Sequence, residues 1–351
     1  MTIPTTKKPA RATLSDIASR AGVSVSTASL VLANKARQRR ISTEVIQRVE
    51  AAAAHLDYSP NLLVHSLQQG RTKVLSFYNG FRNRSEDDLY MDRLSTAIER
   101  AGGEMGFDIL VSCDFRRSVE ETYRNLNGGR SDGLLFFAPQ PADPLTEYLR
   151  GSRLPVVLIN GEDEAGRLSS VRDDESGGML LIADALTALG HGRIAMLDNV
   201  PAGNPEASRR VGELRALLAQ RGVDVPERWV IATDDNDKNQ ARAALKFLMG
   251  EPQPPTALFC WHDRLGYQVL EACDALGLSV PEELSVIGYD GLHWPAKTRH
   301  RLVSVAVNLG DLAEQAVRLL DRIIDEGRAE PVRRLLPVKL TPGTTLAPPR
   351  A

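Results

Sequence analysis

Apolar residues in the first sixty positions recur in three short blocks at helical spacing. Leu14, Ile17, Ala18 and Ala21 fall three or four residues apart, so they make one apolar face of a short helix. Thr13 precedes them and Asp16 follows three residues later, a pairing that can satisfy the free amides at a helix start. Gly22 ends the block, because glycine tolerates the left-handed turn that stops a helix. Ser24 can cap a second helix. There Val25, Ala28, Val31 and Leu32 are expected to face inward, with Ser26, Thr27, Ser29 and Leu30 outward. A third helix is predicted from about Ser42 to Leu56, with Val45, Ile46, Val49, Ala52, Ala53 and Leu56 on its apolar face. Two short helices around a glycine-containing turn are the geometry that offers the second helix to a DNA major groove.

Tyr58-Ser59-Pro60, followed by NLLVHSLQQG, reads as a further helix start. Ser59 can cap, Pro60 suits the first helical position, and Gly70 ends the element. Leu62, Leu63, Val64 and Leu67 make this stretch too apolar for an exposed linker, and two to three turns are marginal alone. It either packs permanently on its own domain or orders against a partner. From Val74 the pattern changes. The segments VLSFY, FDILV, GLLFF, VVLI, RIAMLD, WVIAT, TALFC and LSVIGYD are predicted strands, alternating with helical stretches such as DRLSTAIERAG and GGMLLIADALTALGH. That alternation predicts parallel α/β sheets. More than about 250 residues exceed what one such sheet needs, so two similar halves are expected.

Charge sharpens this division. Residues 1–73 carry 11 basic against 4 acidic side chains, a net +7. The remaining 32 basic and 41 acidic side chains leave a net −9. A basic module on an acidic body points to a polyanion partner at one end only. A purely structural three-helix bundle would not account for a short, uncharged polar face set among basic residues. Composition is otherwise ordinary, at 42% apolar and 25% charged, with no apolar run of about 18 residues to span a membrane. MTIPTTKKPARATLSD has no apolar core behind its lysines and is not read as a secretory signal, so a cytoplasmic location is expected. Cys113, Cys260 and Cys273 are widely spaced and read as free thiols in a core. There is no GxSxG elbow, HExxH, P-loop or strand-following GxGxxG, and the six histidines lack metal-ligand spacing. No enzyme, cofactor or metal is therefore expected. His191, in ALGHGRI, reads as structural.

TLSDIASRAGVSVSTASLVLANK and ISTEVIQRVEAAAAHLDYSPNLLVHSL resemble the LacI/GalR family of lactose-repressor and purine-repressor regulators. The resemblance continues through ALGHGRIAML, SRRVGELRALL, ALFCWHD, LSVIGYDG and RLLPVKL, across essentially the whole chain after about residue 11. It implies an all-α helix-turn-helix headpiece and a periplasmic-binding-protein-like body of two doubly wound α/β lobes, crossed near Leu189, Val307 and Leu336. The expected divisions are a flexible arm (1–11), the headpiece (12–59), a hinge helix and linker (60–73), an effector-binding and dimerisation domain (74–346) and a tail (347–351). The implied function is transcription control, as a repressor, by a homodimer on double-stranded operator DNA. Candidate DNA contacts in the headpiece are Thr13, the base-reading Val25, Ser26 and Leu30, and the phosphate-gripping Ser24, Thr27 and Ser29. In the hinge they are Asn61, Val64, His65 and Leu67, the last as a wedge between central base pairs. Leu30 departs from the arginine many relatives carry; it cannot read guanine and can only make apolar contact, for instance with a thymine methyl.

The resemblance also implies a small-molecule effector between the lobes, a sugar ahead of a nucleobase. Ligands of open α/β sheets lie at strand C-terminal ends. Arg209 and Asp290 carry over first and Asp174 next, since guanidinium and carboxylates pair with hydroxyl-rich ligands. His262 and Asp263 end the ALFCWHD strand, with His262 where the family commonly has asparagine. Asn83 and Asn308 complete the candidate set. Trp261 and Trp294 can stack on a sugar face, though core packing is the plainer reading. A periplasmic sugar receptor would share the body but not the headpiece.

Overall fold

The computed structural model describes residues 12–33, 35–59, 70–80, 88–112, 117–139, 143–199, 205–234, 236–327 and 330–350. The chain divides into two compact units, residues 1–72 and 73–351.

In the first unit α1 (Leu14–Ala21), α2 (Val25–Leu32) and α3 (Thr43–His55) follow the sequence signals closely. Thr13 and Asp16 form a reciprocal capping box, Ser24 caps α2 and Ser42 caps α3. Gly22 stops α1 at φ +66°, where a side chain would be strained. Ile17, Ala18, Ala21, Ala28, Val31, Ala36, Val49 and Ala52 form the core. So many alanines let three short helices approach closely. Val25, expected to face inward, is instead 47% exposed. It opens α2, ahead of the turn on which Ala28 and Val31 pack.

The second unit holds two six-stranded sheets. The first lobe contains β1 (Val74–Asn79), β2 (Asp108–Ser112), β3 (Gly133–Phe137), β4 (Val156–Ile159), β5 (Ser169–Asp173) and β11 (Arg333–Leu336). Their order is β11-β5-β4-β3-β1-β2, parallel throughout. The second lobe contains β6 (Ile194–Asp198), β7 (Val230–Ala232), β8 (Ala257–Cys260), β9 (Ser285–Asp290), β10 (Val303–Ala306) and β12 (Lys339–Thr341). Their order is β12-β10-β9-β8-β6-β7, with only β12 antiparallel. Helices α4 (Leu89–Glu104), α5 (Val119–Leu126), α6 (Pro144–Arg150), α7 (Glu175–Ala188), α8 (Pro205–Gln220), α9 (Lys238–Met249), α10 (Asp263–Leu276) and α11 (Leu309–Glu326) complete the body.

Each lobe is completed by helices from across a crossing. Met179, Ile182, Ala183 and Leu186 of α7 pack into the second lobe's core. Gly178 makes this possible, because a Cβ there would lie 2.7 Å from the Tyr289 ring. The chain therefore leaves the first lobe at Asp173–Asp174, not near Leu189. Conversely Leu309, Leu312, Ala313, Ala316, Val317, Leu319 and Leu320 of α11 fill the first lobe's core. The later crossings lie between β10 and α11 and between β11 and β12.

The segment after β12 clasps the second lobe. Thr345 Oγ1 accepts from Val303 N (2.9 Å) and donates to Val286 O (2.7 Å). His191, 1% exposed, donates from Nε2 to Ala347 O (2.9 Å), so its Nδ1 accepts from the Thr256 hydroxyl (2.9 Å). Ala347 thus belongs to the body rather than to a tail. Burial holds the His191 pKa below the usual histidine value, so the unfolded chain binds this proton more readily than the folded one. The stability it contributes is present above about pH 6.5 and is lost as pH falls through the lowered folded value. Urea unfolding at pH 7.5 and 5 should show a larger stability loss for the parent than for His191→Gln; equal losses would remove His191 from this role.

Candidate functional site

The headpiece presents one face of α2. Ser24 Oγ accepts from Thr27 N (3.1 Å) and lies 2.8 Å from both Ser26 Oγ and Thr27 Oγ1. Ser24, Val25 and Ser26 are exposed, while Thr27, Ser29 and Leu30 are half-buried. Thr13 donates its backbone N–H (2.8 Å) and its hydroxyl (2.7 Å) to Asp16. The Thr13 hydroxyl and amide hold the Asp16 carboxyl below its usual pKa. Arg20, Lys35, Arg39, Arg40 and Arg48 are exposed around this helix, which itself carries no charge. Asn61, Val64, His65 and Leu67 lie outside the described residues, as do Asn83 and Cys113.

In the body, polar groups gather where the C-terminal ends of β5, β6, β8 and β9 meet α7 and α8. Arg210 is at their centre and is 7% exposed. Its Nη1 donates to Trp261 O at 2.9 Å and lies 3.8 Å from Asp290 Oδ1. Its Nε is 3.3 Å from Glu175 Oε1, and the guanidinium carbon sits 4.0 Å from the Tyr289 ring centroid. Tyr289 donates to Asp173 Oδ2 at 2.9 Å, joining the two lobes directly. Asn160 Oδ1 accepts from Asp173 N (3.2 Å), and its Nδ2 donates to the Tyr90 hydroxyl (2.9 Å).

Burial pushes the Asp290 carboxyl up to about 6, against the opposing pull of Arg210 and His262. Burial likewise raises Asp173, again opposed by Arg210. Asp290 also holds φ at +111°, a strained backbone of the kind that clusters at binding sites. Asn199 Oδ1 and Trp261 Nε1 are buried without a hydrogen-bond partner among the described residues. Asn199, Trp261 and Asp290 stand at the ends of the neighbouring strands β6, β8 and β9.

The sequence candidates divide sharply. Asp290 and His262 join this group. Arg209 does not join it: its side chain is 53% exposed and pairs with Glu175 Oε2, while its neighbour Arg210 is enclosed. One residue is about 100° of helix rotation, enough to turn 209 outward and 210 inward. The signal was present, because Arg210 shares the i, i+4, i+8 face of the buried Leu214 and Leu218. Both carboxylate oxygens of Asp263 are already engaged within the second lobe. It is 1% exposed and accepts from Leu292 N (2.5 Å), in the loop after β9, and from Ser304 Oγ (2.6 Å), on β10. Burial and the neighbouring Asp290 hold it well above the usual carboxylate range.

Asp174, His262 and Asn308 are all helix N-caps. Asp174 Oδ1 accepts from Gly177 N (2.9 Å), His262 Nδ1 from Leu265 N (3.2 Å) and Asn308 Oδ1 from Asp311 N (3.2 Å). The His262 ring stacks on Trp261 at 3.9 Å between centroids. Asn308 is exposed. Trp261 packs in the second lobe's core and Trp294 against it. Arg210, Glu175, Asp173, Tyr289 and Asn199 were not anticipated.

A separate cavity of about 710 Å³ lies at the other end of α10, lined by residues including Asp274, Ser279, Lys297 and His300. It shares no residue with this group, and the 14-residue helix separates them by about 21 Å. Among the described residues there is no cluster of three or more His, Cys, Asp or Glu placed to hold a metal. No described helix is long and apolar enough to cross a membrane.

Known proteins share this architecture. Residues 13–61 match the family described as bacterial regulatory proteins, lacI family, and residues 183–346 match the periplasmic binding protein-like domain. The HTH-type transcriptional repressor PurR of Shigella sonnei (strain Ss046) is 30% identical over 325 residues, covering 91% of this chain and 92% of that protein. PurR of Escherichia coli O139:H28 matches to the same extent. A lac repressor dimer bound to operator and the anti-inducer ONPF superposes with a TM-score of 0.81 at 23% identity, covering 96% of this chain and 99% of that one. A complex of the transcriptional regulator CelR with cellobiose gives 0.64 at 25% identity, over 95% and 100%. The likeness spans headpiece and body alike, and the chain belongs to the lacI family of bacterial regulatory proteins, DNA-binding transcription regulators of the repressor type and not enzymes.

Proposed function

We propose that this regulator binds operator DNA as a homodimer and answers to a hydroxyl-rich, sugar-type effector held between the lobes around Arg210. One headpiece offers too few base contacts for specificity, and two-fold protein symmetry maps onto paired half-sites. In this reading Ser24, Thr27 and Ser29 hold phosphates while Val25, Ser26 and Leu30 face bases. Leu67 and its hinge neighbours act at the minor groove.

The observation that carries the effector reading is the set of buried groups at the ends of β6, β8 and β9. Asn199 Oδ1 and Trp261 Nε1 need partners, and Asp290 is 8% exposed with a carboxylate that accepts. A molecule bearing several hydroxyls can donate to the oxygens and accept from the indole. Arg210, beside them, is oriented by Glu175 and Trp261. The cellobiose bound by CelR supports a sugar. The competing occupant is a nucleobase, favoured by the stacked Trp261–His262 pair, which offers a planar surface. A thermal-shift panel of sugars and nucleobases tests the choice. The correct class, at 100 times its Kd, should add about 2.7 kcal/mol. Stabilisation by nucleobases alone would reject the sugar. A ligand that donates to Asp290 should bind more tightly as pH rises through about 6, where that carboxyl ionises.

A further inference from the structure

Helix α2 reads VSTASLVL and carries no charged or amide side chain. Val25 and Ser29 are four residues apart, as are Ser26 and Leu30, so these four share a face. Ala28 and Val31 fill the buried side. In the major groove guanine is read by Arg or Lys and adenine by Asn or Gln, each through paired hydrogen bonds. None of those residues is on this helix. What the face offers is two branched apolar groups and two hydroxyls. The hydroxyl of Ser26 is already engaged with Ser24. The base feature an isopropyl or isobutyl group can distinguish is the C5 methyl of thymine.

We infer that this regulator reads its half-site chiefly through thymine methyls, with Val25 and Leu30 as the specificity-determining residues. The exposed Arg20, Lys35, Arg39, Arg40 and Arg48 then add attraction to phosphates that carries no sequence information. The inference rests on this face of α2 being the one that enters the groove.

Selection of the full-length chain on a randomised duplex library supplies the half-site, and a deoxyuridine scan then tests it, since uridine lacks only the methyl. Each contacted thymine should weaken binding about fourfold on replacement, the worth of one buried methyl-sized group. Methylating cytosine at C5 in a T-to-C variant of the same position should recover part of the loss. Val25→Ala and Leu30→Ala should each erase the thymine–uridine difference at one position and keep it elsewhere. Half-sites whose strongest positions are G·C pairs, or thymines indifferent to uridine, would overturn methyl reading. If Val25→Ala and Leu30→Ala also bind the selected site like the parent, the face itself is misassigned, a separate failure.

Discussion

Replacing Arg210 by alanine should destabilise the body by about 3–5 kcal/mol and abolish its response to effector. The side chain is almost fully enclosed and stands among Glu175, Asp290 and Asp173. Removing it leaves buried carboxylates without their cation, which costs far more than losing the contacts themselves. Arg210→Lys keeps the charge but not the flat fork against Tyr289, so it should fall between alanine and parent. Arg209→Ala is the comparison: its guanidinium is 53% exposed, and Glu175 keeps Arg210 as a partner, so the loss should be about 1 kcal/mol or less. The penalty should also depend on pH. Asp290 has a folded value of about 6, above its unfolded 3.8. Its contribution is therefore fully favourable below the unfolded value and is lost as pH rises through the folded one. Without Arg210 the loss should be steeper, so the variant's deficit shrinks toward pH 5. Denaturant titrations and calorimetry on all three variants decide this. An alanine variant as stable as the parent would refute the buried network, and loss of effector response only in Arg209→Ala would return the role to position 209.

Ile17→Ala should unfold the headpiece while leaving the body intact. Ile17 and Val49 are the only large side chains of the headpiece core at 0% exposure among the described residues; most of the others are alanines. An isoleucine truncated to alanine in a core costs about 2–5 kcal/mol. A unit of some 60 residues has little more than that to lose. Operator affinity should drop to the non-specific level, about a thousandfold or more. The body's melting transition should stay where it is, because the two units are separately compact. Gel shifts with and without competitor DNA, alongside calorimetry, measure both effects. Operator binding within tenfold of the parent would mean the headpiece is far more stable than its core suggests.

The contrast between these two sites reflects what a sequence exposes. Caps and turns are written locally, so Thr13–Asp16, Gly22 and Ser24 are legible, and with them the headpiece. All eight predicted strands are present, because each is an apolar run. The four not anticipated are short or polar: SSVRD, VSVA, RRLL and KLT. They owe their pairing to neighbours distant in the chain, such as Arg333 beside Ser170. The first crossing lies one helix earlier than the sequence suggests, since an apolar helix such as α7 does not announce which lobe its buried face will meet. Side-chain direction is the least visible feature in a sequence. Asp174, His262 and Asn308 sit where ligand groups belong, yet each also satisfies a helix start. Asp263 and Asp290 both follow strands, yet Asp263 opens a helix and spends its oxygens on Leu292 and Ser304, while Asp290 lies near Arg210. Even so, Arg210 was within reach of a strict helical count.

The exchange of α7 and α11 between lobes has a consequence during synthesis. When the ribosome has made the first five strands, the lobe they form still lacks α11 against its sheet and β11 at its edge. Both arrive only with residues 309–336. At about 5–20 residues per second the wait for the intervening 160 or so residues is roughly 10–30 s. Throughout it, the face destined for Leu312, Ala316 and Leu320 and the free backbone of β5 are open to water and to other nascent chains. The headpiece has no such delay, since its core closes within the first sixty residues. A nascent chain can thus own a finished headpiece well before it owns a finished body, and truncation between the end of the headpiece and residue 336 should release folded headpieces on an incomplete first lobe.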